Sequence, residues 1–484
     1  MSAEPLHAVI IGGGVTGLAA AFRLQQGLAD QGVMPRLALL ESAPRLGGKI
    51  RTTTRDGFLI EHGPDSFVAS KPAAGQLVRD LGLADDLVRS HTGQAFIARG
   101  DRLYPIPAGT MMGIPVRLGP LLRSPLLSPA GKLRVVRDLF AHGPDLAGDQ
   151  PAGAFFRRRL GNEVVDRLIE PLLSGIYAGD VNHYSLQALF PQIDRASRNG
   201  RSLIRAMGTL YGHAKPAPAG NQNRGPFLTF RTGLQALTAR LEERLAMCTV
   251  LRNSTASAIR KQDGHYRVEL ADGRSLDAHA IILALPDAAA TSLLPVAGSA
   301  IPPVATLPPT SVANVVMAFP HGITGTSLDG TGFVVPRGTG HAITACTWSH
   351  LKWPHVAPRG AALLRSYIGG AHDAQLVDAP DEAIVDAVMA DLRRITQLRE
   401  TPAFCHVTRW KHAMPQYAVG HLDRLEQTRK AMAAALPGVF LAGASYGGVG
   451  LPDCIRQGEQ AAHALVDHLT QRNLLNTPET LHVD

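Results

Sequence analysis

Residues 7–17, His-Ala-Val-Ile-Ile-Gly-Gly-Gly-Val-Thr-Gly, decide the fold. A short apolar run ends at Ile11, and after the glycines Ala21, Leu24 and Leu28 recur at helical spacing. This pattern of strand, glycine turn and helix is typical of a site for the pyrophosphate of a dinucleotide, which binds at the N-terminus of the helix. The first glycine permits the tight turn, the second lets the pyrophosphate approach the backbone, and the third lets the helix pack close to the strand. The predicted phosphate contacts are Gly12, Gly13, Gly14, Val15, Thr16 and Gly17.

A second predicted strand, Leu37-Ala-Leu-Leu40, leads into Glu41. A carboxylate at this place accepts hydrogen bonds from ribose hydroxyls and repels a 2′-phosphate, which disfavours NADP. The segment Arg45-Leu-Gly-Gly-Lys49 follows and resembles the RxGG extension of glutathione-reductase-type flavoproteins. The resemblance implies FAD as the cofactor, and the alternative is an ordinary solvent loop.

A second glycine-rich loop lies near the other end of the chain. The apolar run from Val439 to Ala444 precedes Gly447-Gly-Val-Gly-Leu-Pro452, and a helical pattern follows. Its predicted buried face carries Ile455, Ala462, Val466 and Leu469. Two glycine-rich helix starts, one near each end of the chain, predict a cofactor domain assembled from separate segments.

The predicted fold is α/β, with a discontinuous Rossmann-like FAD-binding domain, a helical insertion and an α+β substrate-binding domain. We assign residues 1–90, 225–300 and 405–484 to the FAD-binding domain, 91–215 to the helical insertion and 301–404 to the substrate-binding sheet. Within the insertion, Met111 to Leu127 mixes apolar residues with Arg117 and Arg123. This stretch either lines a substrate entrance or contacts a membrane surface.

Composition narrows the class of protein. The chain has 484 residues, is 45% hydrophobic and carries a net charge of +8, which serves either solubility or attraction of an anionic substrate or membrane. No apolar run reaches the roughly 18 residues of a membrane span, and no signal peptide is recognisable. We therefore expect a cytoplasmic protein, with peripheral contact at the inner face of the membrane left open. No dense basic block indicates nucleic acid, and the dispersed cysteines and histidines indicate no metal site.

Longer segments carry a more specific resemblance. The chain is similar to the bacterial coproporphyrinogen III oxidase family, long described as Gram-positive-type protoporphyrinogen oxidases, over essentially its whole length. The most specific segment is Glu-Pro-Leu-Leu-Ser-Gly-Ile-Tyr-Ala-Gly-Asp at 170–180. The resemblance implies FAD, dioxygen as acceptor, and six-electron oxidation of a porphyrinogen to a porphyrin with formation of hydrogen peroxide. It also implies haem biosynthesis, with hand-over of the product to a ferrochelatase.

The same resemblance implies further site residues. Beyond the phosphate loop, the FAD contacts fall on Glu41, Ser42, Lys49, Gly63, Pro64, Asp65, Ser66, Ala256, Trp410, Val449, Gly450 and Leu451. Lys71 matches a basic position near the substrate pocket, and Ile176 matches a position that lines it. The alternative for Lys71 is an ordinary solvated lysine, and the alternative for Ile176 is an ordinary core residue. Tyr367 faces the same cavity if its strand presents that side, which alternation alone does not decide. We assign no general base.

Three rival functions remain open from the sequence. Protoporphyrinogen IX is the first alternative substrate. The second is an amine oxidase or carotenoid desaturase on the same fold, which the 170–180 segment disfavours. The third is a flavin-free binding protein, which the intact RxGG segment and glycine cradle disfavour.

Overall fold

The computed structural model describes residues 6–141, 148–198, 202–211, 225–294, 301–324, 329–371 and 373–475. Within them the chain forms two seven-stranded sheets, three smaller sheets and a region of short helices. No helix in these ranges is long and apolar enough to cross a membrane. The helices are α1 Val15–Asp30, α2 Pro72–Asp80, α3 Leu118–Arg123, α4 Pro129–Val136, α5 Ala152–Leu160, α6 Asn162–Val164, α7 Glu170–Tyr177, α8 Leu186–Leu189, α9 Pro191–Ser197, α10 Leu203–Tyr211, α11 Gln235–Glu243, α12 Asp287–Leu293, α13 Ser349–Lys352, α14 Ala374–Val377, α15 Asp381–Thr396, α16 His421–Ala435 and α17 Leu451–Gln471.

The first large sheet is the one that the N-terminal glycine motif predicts. Its strands are β1 Leu6–Ile11, β2 Leu37–Leu40, β12 Cys248–Leu251, β13 Ala256–Lys261, β14 Tyr266–Leu270, β15 Ser275–Leu283 and β21 Val439–Leu441. The order is β12-β2-β1-β15-β14-β13, and β21 pairs with the C-terminal part of β15. The pairs among β12, β2, β1, β15 and β21 are parallel, as a Rossmann-like sheet requires.

Helices α1 and α17 pack together against this sheet. Leu18, Leu24 and Leu28 of α1 share one buried cluster with the predicted apolar face of α17, which confirms that face. A Cβ on Gly458 would lie 2.3 Å from the carbonyl oxygen of Thr16, so the two helices cross with almost no space between their backbones. The two glycine-rich helix starts thereby come to the same end of the sheet.

The second large sheet is mainly antiparallel. Its strands are β7 Phe96–Arg99, β8 Arg102–Pro105, β16 Thr310–Phe319, β17 Gly332–Val334, β18 Ile343–Trp348, β19 Ala362–Gly369 and β20 Phe404–Met414, in the order β20-β16-β19-β18-β17-β7-β8. Helix α15 covers one face through Ile384, Val388 and Leu392. The other face packs on Phe58 and Ile60 of the FAD-binding part.

Three strands of this sheet lie outside the range 301–404. Strands β7 and β8 belong to the stretch 91–215, which we expected to be a helical insertion, and β7 pairs with β17. Strand β20 pairs with β16 along most of its length, although the range 405–484 was assigned to the FAD-binding domain. Local patterns identify a strand, but its partner is set by tertiary register.

The smaller sheets connect these parts. They are β3 Thr52–Arg55 with β4 Phe58–Glu61, β9 Thr110–Met111 with β10 Ile114–Pro115, and β5 Phe67–Val68 with β11 Phe227–Phe230 and β6 Leu87–Arg89. Helices α3–α10 bury a separate cluster that includes Phe155, Phe156 and Leu168. The Pro/Gly/Asn-rich stretch 216–225, whose composition predicts a linker, lies outside the described residues except for Gly225.

Candidate cofactor and substrate site

The N-terminal glycine loop leaves open space in front of α1. Gly14 caps the helix, and a Cβ built on it would meet no heavy atom within 4 Å. A Cβ on Gly17 would instead lie 1.9 Å from the carbonyl oxygen of Gly12, and Gly12 itself has φ +108°. The three predicted roles are therefore separate here: Gly12 makes the turn, Gly17 permits close packing, and Gly14 borders the open space that a pyrophosphate needs.

Glu41 folds back onto this loop. Its Oε2 accepts a hydrogen bond from the Gly13 N–H at 2.9 Å, and its Oε1 accepts one from the Ala43 N–H at 2.8 Å. The hydroxyl of Ser42 donates to the same Oε1 at 3.2 Å. The carbonyl of Glu41 accepts from the Ser254 N–H at 2.9 Å, which brings the start of β13, Ala256, to the same end of the sheet.

The segment 45–49 lies between the glycine loop and residues 63–66. A Cβ on Gly48 would come within 3.2 Å of the Cα of Gly14, and a Cβ on Gly63 would come within 2.0 Å of the carbonyl oxygen of Lys49. The ammonium of Lys49 donates to the carbonyl of Ala413 at 2.6 Å, and desolvation lowers its pKa. Glycine at 48 and 63 thus allows three backbone segments to run side by side.

Side chains on β19 and at the end of α13 bind the segment Gly63-Pro64-Asp65-Ser66. The carboxylate of Asp65 accepts hydrogen bonds from Lys352 Nζ at 2.9 Å and from Trp353 Nε1 at 3.1 Å. Burial would raise the pKa of Asp65, but Lys352 and Arg365 outweigh it and hold this pKa well below its usual range. Arg365, which is 2% exposed, also donates to the carbonyl of Gly63 at 2.6 Å. The Asp65 side chain therefore binds side chains at the end of α13 and on β19.

Polar side chains fix the residues just before this segment. The carbonyl of His62 accepts from Trp410 Nε1 at 2.9 Å, and the carbonyl of Glu61 accepts from Asn314 Nδ2 at 3.0 Å. Burial raises the pKa of Glu61 to about 7. Burial, together with the nearby imidazole of His406, lowers the pKa of His62 to about 4. Trp410, a predicted cofactor contact, is thus placed against residues 62 and 63.

The hydroxyl of Tyr417 forms a hydrogen bond with the second glycine loop and another with the residues just before it. Tyr417 donates to the carbonyl of Ala444 at 2.5 Å and accepts from the Gly448 N–H at 2.8 Å. Val449 follows, Gly450 caps α17, and Leu451 is its first residue. Because α17 crosses α1 at Thr16, this loop faces the same open end of the sheet as the first one.

The three predicted substrate residues lie in different elements. Lys71 caps α2 and forms an ion pair with Asp453, with half of its side chain exposed. Ile176 is on α7 and is 45% exposed, so it is not an ordinary core residue. Tyr367 is on β19 and is partly buried, with the Arg365 guanidinium 5.5 Å from its ring centre. Tyr367 therefore lies on the side of β19 that faces residues 61–65.

A family model described as flavin containing amine oxidoreductase matches residues 15–466, from the start of α1 through the second glycine loop and most of α17. The chain belongs to the flavin-containing amine oxidoreductase family. FAD is accordingly its cofactor. Open space at Gly14 and two helix N-termini at one sheet end fit a dinucleotide of this kind.

Individual members of this family are similar along the whole chain. A coproporphyrinogen III oxidase from Bacillus subtilis is 43% identical over 97% of this chain and 100% of its own length. A chloroplastic protoporphyrinogen oxidase from Nicotiana tabacum is 31% identical over 97% of this chain and 87% of its own. A crystal structure described as a protoporphyrinogen oxidase from Exiguobacterium matches with a TM-score of 0.85 and 37% identity, over 96% of this chain and 99% of that one.

Sequence reasoning missed the charged residues that position the site. Arg365 and Lys352 are buried cations beside Asp65, and Asp453 pairs with Lys71. The sequence did hold a signal for Arg365. This residue follows the apolar run Ala361-Ala-Leu-Leu364 directly, and it shares a strand face with Tyr367. Asp453 had no such signal, since an acidic residue in the first turn of a helix is common for electrostatic reasons alone.

Proposed function

We propose that this protein is an oxygen-dependent coproporphyrinogen III oxidase that forms coproporphyrin III in the cytoplasm. The observation that carries the proposal is full-length similarity to a curated enzyme of that name. The reaction removes six electrons and six protons from the porphyrinogen and reduces three molecules of dioxygen to three of hydrogen peroxide. FAD supplies the two-electron acceptor that each of the three cycles needs.

The residues of this chain would bind and orient the two partners. We propose that the glycine loops, Glu41, Ser42, Lys49, residues 63–66, Ala256, Trp410 and Val449 to Leu451 hold the FAD. Lys71 would pair with a propionate, and Ile176 and Tyr367 would pack on the macrocycle. The roles of Lys352, Trp353 and Arg365 would be indirect, because they fix residues 63–66 through Asp65 and Gly63.

Protoporphyrinogen IX is the second candidate substrate, since curated relatives from plants are named for it. Coproporphyrinogen III carries four propionates, and protoporphyrinogen IX carries two. A binding site for a substrate with four carboxylates needs either cations or an edge that is open to water, because burial of an unpaired carboxylate is costly in free energy. The net charge of +8 and the partly exposed Lys71 favour the tetra-acid.

The test is turnover of both porphyrinogens side by side, followed by porphyrin fluorescence. We expect a higher kcat/KM for coproporphyrinogen III. Lys71→Ala should lower this value more for the tetra-acid than for the di-acid, and more strongly at low salt. Lys430→Ala, which removes a surface lysine paired with Glu426, is the matched control. Equal turnover of both substrates by the wild type would remove the case for coproporphyrinogen specificity.

We also propose a peripheral contact with anionic membrane, through which product could pass to a ferrochelatase. Between Arg102 and Ala141 the exposed charged side chains are basic, and four large apolar side chains are exposed. The apolar residues are Met111, Leu122, Leu133 and Phe140. Sedimentation with vesicles should retain the protein when anionic lipid is included, and Leu133→Ser with Phe140→Ser should reduce that retention. Equal retention by neutral vesicles would contradict the electrostatic part.

We propose new boundaries for the substrate-binding sheet domain. It would take the strands at 96–105 and 404–414 together with 301–403, because all of them share one sheet. The FAD-binding domain would keep the rest of its three assigned segments.

A further inference from the structure

Lys71 and Asp453 form an ion pair between two helix starts. Lys71 is the residue before α2, and Asp453 lies in the first turn of α17, where its N–H donates to the carbonyl of Gly450 at 2.9 Å. The Lys71 side chain is 50% exposed and that of Asp453 is 15% exposed. The ammonium is therefore accessible from solvent while the carboxylate is largely covered by protein.

The surroundings of this pair belong to both parts of the site. A Cβ on Gly448 or Gly450 would lie 2.7 Å or 3.0 Å from side-chain atoms of Asp453, so the carboxylate rests on the second glycine loop. The negative charge of Asp453 also reaches Tyr177, whose pKa burial and this charge raise to about 12. Tyr177 follows Ile176 at the end of α7. The pair thus touches the loop assigned to the cofactor, and its charge reaches the helix end that carries a residue assigned to the substrate.

The side chain of Asp453 ends in a carboxylate, as does a propionate of a porphyrinogen, so either can pair with the ammonium of Lys71. A second carboxylate close to Lys71 would be repelled by Asp453, because like charges at such distances destabilise one another. Asp453 has another cation within reach, since Arg456 Nη2 lies 3.9 Å from its Oδ1 and Arg456 is partly exposed. A carboxylate that displaces Asp453 from Lys71 would therefore leave it with a partner.

We propose that Asp453 occupies Lys71 in the substrate-free protein and competes with the substrate's carboxylate for it. The proposal rests on the proposed function, in which Lys71 binds a propionate. It predicts that Asp453 weakens binding of porphyrin acids and that the larger part of this effect acts through Lys71.

The test is a double-mutant cycle on binding of the product, coproporphyrin III, to the FAD-loaded enzyme, followed by porphyrin fluorescence. Asp453→Asn should tighten the Kd by up to roughly fivefold, the factor associated with a partly exposed ion pair. In a Lys71→Met background the same substitution should tighten the Kd clearly less, because only the direct repulsion between Asp453 and the propionate is then removed. Asp423→Asn, which removes an exposed carboxylate from the first turn of α16, is the matched control and should have no effect.

Three results would overturn the proposal. Weaker binding in Asp453→Asn, or an equal change with and without Lys71, would mean that Asp453 does not compete for Lys71. Loss of bound FAD in Asp453→Asn would mean that Asp453 serves the cofactor loop instead. Asp453→Ala replaces the Asn variant if that one does not fold. Failure of the wild type to oxidise coproporphyrinogen III would reject the proposed function separately, because the binding cycle does not depend on turnover.

Discussion

At the scale of a single residue, Glu41 has one role that the structure shows and a second that we propose. Its two carboxylate oxygens fix the backbone at Gly13 and Ala43, so the acid already supports the phosphate loop before any ribose binds. The sequence predicts only the second role, contact with the ribose. Hydrogen bonds to a charged group are worth about 1.5–3 kcal/mol each, so either role is measurable.

We expect Glu41→Ala to weaken FAD binding by at least tenfold, because both the ribose contact and the support of Gly13 are lost. Titration of the FAD-free protein with FAD, followed by quenching of flavin fluorescence, gives the Kd. Glu41→Gln keeps one acceptor and should fall between wild type and Ala. An unchanged Kd in the Ala variant would remove Glu41 from the site.

Glu61 makes stability depend on pH. Its pKa rises from an ordinary 4.5 to about 7 in the folded protein because it is buried. Its stabilising contribution is therefore complete below about pH 4.5 and is lost as the pH rises through about 7, by about 1.4 kcal/mol for each pKa unit. The Tm of the wild type should fall relative to that of Glu61→Gln across this window. Parallel Tm profiles of the two proteins would contradict the assignment.

At the scale of elements, the start of α1 depends on two glycines for different reasons. Gly17 lies where α1 touches the turn before it, and Gly14 lies where α1 opens to space. The sequence motif predicts these two roles from spacing, and the structure shows the two environments. The close contact at Gly17 matters for folding, whereas the open space at Gly14 matters for the proposed binding of FAD.

We expect Gly14→Val to fold and to lose FAD, because the new side chain enters open space that the pyrophosphate needs. Gly17→Ala should fail at an earlier step, since its Cβ would lie 1.9 Å from the carbonyl oxygen of Gly12. Circular dichroism reports folding, and the absorbance ratio of flavin to protein reports FAD content. A Gly14→Val protein that retains full FAD would show that the cradle is elsewhere.

At the scale of the whole molecule, FAD would touch segments from both ends of the chain and from the second sheet. A ligand that binds only the folded state stabilises it by about 2.7 kcal/mol when present at a hundred times its Kd. Residues 61 and 63 are bonded to the second sheet, and Gly63 also lies against the segment 45–49 beside the first glycine loop, so stabilisation should reach both large sheets.

We expect the FAD to be non-covalent, because no cysteine or histidine stands in a recognisable attachment motif. Acid precipitation should release the yellow colour into the supernatant, and the Tm of FAD-free protein should rise in a single transition as FAD is added. Colour that stays with the precipitate would contradict non-covalent binding. A transition that splits in two would contradict the coupling of the sheets.

The sequence by itself determined the nucleotide-binding part. Strand β1, the glycine turn, α1, β2 and the late loop before α17 are set by local patterns, since hydrophobic period and glycine geometry act within a few residues. The FAD choice needed one step more, the resemblance of residues 45–49 to known flavoproteins. The sequence also predicted a sheet within 301–404, the range in which β16 to β19 lie.

Tertiary structure alone decided the charged contacts and the sheet partners. No spacing relates Lys71 to Asp453, or Asp65 to Lys352 and Arg365, because these residues are far apart in the chain and meet only after folding. For the same reason β7, β8 and β20 joined a sheet that their sequence neighbours do not indicate. Local propensity fixes which residues extend or coil, whereas the pairing of distant segments depends on burial of faces that only the complete fold brings together.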